Sequence, residues 1–296
     1  MKKTVFTGVA TALITPFTDD SKCVDFDGFD RLIEFQIRNS ADALVIAGTT
    51  GESPVLSREE KISLFRNAVK SADGRIPVIA GTGSNNTEDA VRKSNDAEKQ
   101  GVNGLLIVTP YYNKCSQEGL IKHYFYIADR VSTPVIVYNV PSRTGVTVSP
   151  DTYKALSEHK NIVAVKEASS DISSFIKSKT LCGDALDFYS GNDDLAVTMM
   201  SHGAKGVISV ASNIIPDPIH KIIEFCLNND FGNARILHEK YLNLMNSMFC
   251  EVNPIPVKYA CNVLFETNNS LRLPLTTITK AKAEQLREIM KEYNLI

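Results

Sequence analysis

Eight apolar, β-branched segments recur along the chain, at about residues 7–13, 43–48, 76–81, 104–109, 134–140, 162–167, 187–190 and 206–210. Successive segments begin roughly 20–35 residues apart, which leaves room for one helix and two short loops between strands. The intervening stretches carry helical signals. Ser57-Arg58-Glu59-Glu60 reads as a capping box ahead of an apolar stripe at Ile62, Leu64, Phe65 and Val69. Thr87 with Asp89 and Ala90 opens a second helix, Ser116 to Arg130 makes a third, and Pro150 occupies the first turn of a fourth. Eight strand–helix units in succession predict an α/β fold, a (β/α)8 TIM barrel, with a doubly wound open sheet as the competing layout. Past residue 228 the strands stop. Residues 231–250, about 255–266 and 278–293 read as helices, divided by Asn253-Pro254 and by the polar Thr267-Asn268-Asn269-Ser270 loop. The expected division is a catalytic barrel over 1–228 and a C-terminal helical appendage over 229–296.

With 296 residues, 43% hydrophobic and 22% charged, the chain has enough apolar mass for one large core. A formal net charge of −2 argues against nucleic acid or an anionic membrane as partner. No apolar stretch approaches the ~18 residues that span a bilayer, and Met1-Lys2-Lys3-Thr4-Val5-Phe6 leads into no apolar leader, so a cytoplasmic location is expected. The six cysteines (Cys23, Cys115, Cys182, Cys226, Cys250, Cys261) include no Cys-x-x-Cys pair, and the five histidines show no ligand spacing. They read as core or incidental residues, and neither a metal nor a disulfide framework is implied.

The run Ile162-Val163-Ala164-Val165-Lys166-Glu167-Ala168 reads as a strand buried on both faces. Strict alternation puts Lys166 on one face with Ile162, Ala164 and Ala168, and Val163 and Val165 on the other. A lysine between two alanines on such a strand has space around its amine and little water, and burial disfavours the charged form. An ordinary lysine is neutral once in ~2,500 molecules at pH 7, whereas one depressed to roughly 7–8 is a usable nucleophile for a carbonyl carbon. The plain alternative is a strand-end lysine that snorkels to solvent.

A (β/α)8 barrel keeps its active site at the carboxyl ends of the strands, and polar motifs gather there. Gly48-Thr49-Thr50-Gly51-Glu52 follows strand 2, Thr109-Pro110-Tyr111-Tyr112-Asn113 strand 4, and Tyr138-Asn139-Val140-Pro141-Ser142-Arg143-Thr144-Gly145 strand 5. Ser190-Gly191 closes strand 7, and strand 8 runs Gly206-Val207-Ile208-Ser209-Val210. The glycine-rich segments lack the Lys-Ser/Thr of a P-loop and the third glycine of a dinucleotide fingerprint, so no nucleotide cofactor is expected. Such glycines suit tight turns that present backbone N–H groups to a small carboxylate.

The set GTTGE (48–52), VTPYYN (108–113), YNVPSRTG (138–145) and VAVKEAS (163–169), with SGND (190–193) and GVISV (206–210) in order, resembles the dihydrodipicolinate synthases. These belong to the pyruvate-dependent class I aldolases, alongside N-acetylneuraminate lyase, and the resemblance covers the barrel from end to end. It implies a lyase with no cofactor beyond a Schiff-base lysine. Lys166 would attack the ketone of pyruvate, and the resulting enamine would add to L-aspartate 4-semialdehyde on the diaminopimelate route to lysine. Tyr138, Thr49 and Tyr112 resemble the family's hydroxyl relay, Tyr112 reaching in from a neighbouring subunit. Thr50 matches the holder of the pyruvate carboxylate and Arg143 the residue that grips the second substrate, while backbone carbonyls near Gly191 and Ile208 would line the pocket. A related aldolase acting on sialic acid or 2-keto-3-deoxygluconate is the alternative, and Arg143 argues against it. The resemblance further implies a homotetramer built as a dimer of dimers.

Many dihydrodipicolinate synthases are inhibited by lysine in a cleft beside the GTTGE loop. The matching positions here are Ser53, Pro54, Arg58, Lys61, Asn85 and Asp89, beside Tyr111. Ser53, Asn85 and Tyr111 fit the pattern, whereas Pro54, Arg58, Lys61 and Asp89 depart from it. Two fixed cations stand where the sensitive enzymes carry imidazoles, so insensitivity to lysine is expected.

Overall fold

Residues 2–296 are described by a computed structural model. Eight parallel strands close into a barrel in chain order: β1 (Gly8–Ala12), β2 (Ala43–Ile46), β3 (Val78–Gly81), β4 (Gly104–Val108), β5 (Val135–Asn139), β6 (Ile162–Glu167), β7 (Asp187–Ser190) and β8 (Gly206–Ser209), with β8 returning to β1. The strands fall where the apolar segments predict, most of them shorter by one or two residues. Nearly every strand residue is buried, as expected when helices cover one face of a sheet and the barrel interior fills the other. The open-sheet layout is excluded by the closure.

Local chemistry starts the helices where the sequence places them. Ser57 and Glu60 form a reciprocal capping box at the head of Arg58–Ala72. Asn86 caps Thr87–Glu98, Ser116 caps Gln117–Ala128, and Ser149 precedes Pro150–Leu156, each side chain accepting from an otherwise orphaned N–H. Three helices follow the barrel, Phe231–Ser247, Ile255–Phe265 and Lys280–Glu292, and their apolar faces join the cluster that packs between strands and outer helices.

One detail of β6 differs from strict alternation. Val135 pairs with Ile162 but Ile136 pairs with Ala164, so Val163 is an extra residue in the ladder. The bulge turns Ile162 into the outer layer and Val163 into the barrel interior, the reverse of the faces expected for them. Beyond the bulge the phase is as predicted, with Ala164 and Ala168 in the interior and Val165 outside. The opposite end of the barrel is plugged by Phe6 stacked on Tyr189, ring centroids 4.1 Å apart, with the Tyr189 hydroxyl donating to the Phe6 carbonyl at 2.7 Å.

Candidate active site

A cavity of about 810 Å³ opens at the carboxyl ends of the strands. Lys166 reaches it from β6, and its Nζ lies 4.5 Å from the centroid of the Tyr138 ring, contributed by the neighbouring strand in register. Lys166 is only 6% exposed. Burial lowers its amine to about 8; the buried carboxyl of Asp193 works against that shift and the guanidinium of Arg143 adds to it. Gly191 makes the space. A Cβ there would stand 2.6 Å from the Ala168 Cβ and 3.2 Å from the Lys166 Cε, so any side chain at 191 would crowd the amine's stem.

Tyr138 is buried and its phenol is pushed up by desolvation, an effect offset in part by Arg143 and by the Thr49 side chain. Thr49 and Thr50 line the same cavity on the loop after β2. That loop is held in an uncommon backbone. Ala47 and Glu52 both have positive φ, 52° and 55°, and the strain is over-determined from outside the barrel. The Glu52 carboxylate is fully buried, takes the Lys258 ammonium in an ion pair, and accepts from the Arg272 N–H at 3.2 Å. Burial brings Lys258 down to about 8 despite that partner.

Arg143 sits on a one-turn helix, Pro141–Thr144, that follows β5. Its Nη2 donates to the Asn253 carbonyl at 3.3 Å, and the Asn253 side-chain amide donates to the Thr50 hydroxyl at 3.0 Å. Asn253 thus bridges Thr50 and Arg143 from the C-terminal region. Sequence reasoning placed Asn253 only in a helix break, and no local signal ties it to residues 50 and 143.

Tyr112 borders the cavity, is 91% exposed and has a φ of 67°. Gly191 is also on the wall. Ile208 is fully buried in the interior cluster, and Val210, two residues on, forms the wall there. Asp193 is a further buried group the sequence reading assigned no role. Its Oδ2 accepts from the N–H groups of Val210 and Ala211 at 3.1 and 3.0 Å, Oδ1 has no partner, and burial raises the carboxyl. On the outer face of β6, Glu167 accepts from Asn139 Nδ2 (2.9 Å), the Tyr153 hydroxyl (2.7 Å) and the Ser169 N–H (2.8 Å), which ties β5 to β6 one register step beyond the Lys166–Tyr138 pair.

The cavity walls carry Lys61, Lys93, Lys114, Arg143 and Lys166 and no aspartate or glutamate among the described residues. In a chain of net charge −2 this concentrates positive potential at one mouth, which suits carboxylate substrates. No three His, Cys, Asp or Glu side chains among the described residues converge as a metal site would require. Burial lowers the Lys61 amine at the outer wall to about 8 as well, but Lys166 is the depressed amine set beside the Tyr138 ring. A cavity of hydroxyls, such an amine and a guanidinium suits imine chemistry on 2-oxo acids.

The profile of the dihydrodipicolinate synthetase family matches residues 5–293. The chain is 47% identical over 292 residues to 4-hydroxy-tetrahydrodipicolinate synthase 1 of Clostridium acetobutylicum, covering 99% of each chain. It is likewise 47% identical to the 4-hydroxy-tetrahydrodipicolinate synthase of Fervidobacterium nodosum, over 99% of this chain and all of that one. The crystal structure of dihydrodipicolinate synthase from Aquifex aeolicus superposes with a TM-score of 0.95 at 45% identity, over 98% of this chain and 99% of the other.

Proposed function

This chain belongs to the dihydrodipicolinate synthetase family, and we infer that it condenses pyruvate with L-aspartate 4-semialdehyde to give 4-hydroxy-tetrahydrodipicolinate, on the diaminopimelate route to lysine. It is a lyase of the class I aldolase type. The observation that carries the chemistry is the Lys166 amine, desolvated and lowered to about 8, opening on a cavity lined by cations and hydroxyls.

The neutral Lys166 amine adds to the ketone carbon of pyruvate, and the carbinolamine loses water to give an imine. Loss of a methyl proton gives the enamine, whose carbon attacks the aldehyde of the second substrate. That substrate's own amine then displaces Lys166 from the imine carbon, closing the ring and freeing the enzyme. Each step moves a proton, and a chain of hydroxyls suits the task because every O–H donates and accepts. Tyr138 and Thr49 fill that role from this barrel. Tyr112, exposed at the rim, completes the relay in a neighbouring subunit, in a homotetramer of two tight dimers. Thr50, steadied by Asn253, holds the pyruvate carboxylate, and the carbonyls near Gly191 and Ile208 line the pocket. The covalent lysine makes any further cofactor unnecessary, and the enzyme works in the cytoplasm; among the described residues no helix is long and apolar enough to cross a membrane. Mixing the protein with pyruvate and borohydride tests this reading: one pyruvate-derived mass per chain, on the peptide bearing Lys166, is expected. Labelling of a different lysine overturns it.

Arg143 is assigned to the carboxylate of the semialdehyde, for which its planar fork is well shaped. Arg143→Ala should leave pyruvate imine formation largely intact and lower kcat/KM for the semialdehyde by one to two orders of magnitude, since a charge-assisted hydrogen bond contributes about 1.5–3 kcal/mol. Because the Arg143 charge also helps depress Lys166, the variant's pyruvate-binding limb should move to higher pH. Collapse of pyruvate binding with the aldehyde unaffected would mean that Arg143 serves the other substrate.

The same enzyme should be insensitive to its pathway's end product. In the cleft beside the GTTGE loop, Asp89 is already occupied by Lys93, at 2.6 Å, and by Arg92, and Arg58 is clamped on Asp96 at 2.7 and 2.8 Å. No free carboxylate remains for a diamino acid, and like charges at a partly exposed site are unfavourable by about 1 kcal/mol or more. Steady-state rates should not change with millimolar L-lysine, and inhibition at sub-millimolar lysine would contradict this.

A further inference from the structure

The chain leaving β7 passes close to Lys166. The Gly191 N–H donates to the Glu167 carbonyl at 2.7 Å, and a Cβ at 191 would stand 3.2 Å from the Lys166 Cε. Asn192 comes next and lines the cavity, and Asp193 then reaches across to Val210, which lines it from the end of β8. The Asp193 carboxylate is therefore set between two residues of the wall, and the residue is 4% exposed. Oδ2 accepts from the Val210 and Ala211 N–H groups at 3.1 and 3.0 Å, while Oδ1 has no partner among the described residues. On its far side the helix Phe231–Ser247 supplies His238, whose Nε2 donates to the Asp193 carbonyl at 3.1 Å.

A buried carboxylate with one oxygen unused is costly unless it meets a positive charge. We propose that Asp193 is a positioning residue for the reaction, the fixed counter-ion of the protonated imine that forms on Lys166. The inference rests on the imine mechanism proposed above. As the carbinolamine collapses, its hydroxyl takes a proton from the hydroxyl relay and leaves as water. The nitrogen lone pair forms the C=N bond, and the nitrogen keeps its own proton, so a neutral amine has become a cation. That cation lies in a cavity that already holds Arg143. The methyl proton is then lost, its electron pair forms the C=C bond, the C=N pair returns to nitrogen, and the charge disappears. Only the protonated imine is an effective sink for those electrons, so an anion that holds its proton favours the enamine step. The pyruvate carboxylate at Thr50 is one such anion, and Asp193 is the one the protein supplies. The free amine already senses it: burial lowers Lys166, the Asp193 carboxylate works against that shift and Arg143 adds to it.

The pH dependence of two steps provides the test, since Lys166 is faced by Asp193, Arg143 and the Tyr138 phenol, and Asp193 by Lys166 and His238. D193N keeps the shape of the side chain and an acceptor for the Val210 and Ala211 N–H groups, and removes the charge. Loss of a nearby anion lowers a lysine amine, so the acid limb of imine formation with pyruvate, read by stopped flow, should move to lower pH by about one unit. The alkaline decline of pyruvate methyl-proton exchange in D2O, followed by proton NMR without aldehyde, should move the same way. D194N removes the exposed carboxyl next door, and H238Q removes the other titratable group at Asp193 while keeping an N–H for its carbonyl. Neither should shift either limb. If D193N does not fold, D193S takes its place. Limbs that stay put in the folded variant overturn the proposal, even with a lowered Tm, because Asp193 is then only a tie between β7 and β8. Equal movement in D194N or H238Q, or movement to higher pH, overturns it as well. Absence of any borohydride-trapped pyruvate in wild type would instead sink the reaction assignment, and this inference with it.

Discussion

Lys166→Ala is expected to lower turnover by about four orders of magnitude or more and to abolish the pyruvate adduct trapped by borohydride. The loss should be near-complete because no other amine in the cavity combines burial with a place beside Tyr138. Lys61 and Lys93 line the wall toward the cleft between the outer helices, and Lys114 lies on the exposed loop after β4. Wild-type imine formation should carry the signature of the same group. Below about 8 the amine is increasingly protonated, so the rate with pyruvate should fall about tenfold per pH unit; above it the rate should level off. At pH 7 about one-tenth of the amine is neutral, against roughly one part in a few thousand for an unperturbed lysine. On the proposed mechanism, that difference is what burial would contribute to catalysis. Mass spectrometry after reduction, and stopped-flow rates across pH, check the two parts. A variant that still accepts pyruvate covalently would remove Lys166 from the centre of the mechanism.

Much of this arrangement is legible in the sequence because it is local. Period-two alternation and capping signals act over a few residues, so strands and helix starts fall where Ser57, Ser116 and Pro150 put them. Lys166 is legible because two alanines flank it on its own strand. The bulge at Val163 is not, because it is a property of the β5–β6 pair rather than of either strand, and it reverses the faces of Ile162 and Val163. The one-turn helix that presents Arg143 has four residues, too few to repeat a helical period in the sequence. Asn253, Lys258 and Arg272 meet the Thr50–Glu52 segment only after some 200 residues of intervening chain, and no pattern in a single sequence encodes such a contact. Asp193 is visible as the last residue of SGND, but its burial beside β8 depends on the closed barrel.

That distant contact leads to the second large effect. Glu52 holds a left-handed backbone at the end of the Thr49–Thr50 loop, and what keeps it there is a fully buried ion pair with Lys258 from the C-terminal helix Ile255–Phe265. Such a pair has a desolvation cost comparable to its attraction, so its net worth is small, but removing one partner strands the other. Lys258→Met should therefore destabilise the protein by about 3–5 kcal/mol, leaving the Glu52 carboxylate buried with only the Arg272 N–H as donor. The double variant Glu52→Leu with Lys258→Met should recover most of that loss, since no charge is then left unpaired. Function should not recover with it. With the pair gone, the left-handed turn keeps only its backbone hydrogen bonds, such as that from the residue 52 N–H to the Thr49 carbonyl at 3.1 Å, and loses its tie to the C-terminal helix. Thr50 should then lose its alignment with Asn253, so the KM for pyruvate should stay raised in the double variant while its folding is restored. Denaturant unfolding gives the stability of each variant, and steady-state kinetics gives the KM. Full recovery of pyruvate binding in the double variant would show that the ion pair stabilises the loop without positioning it.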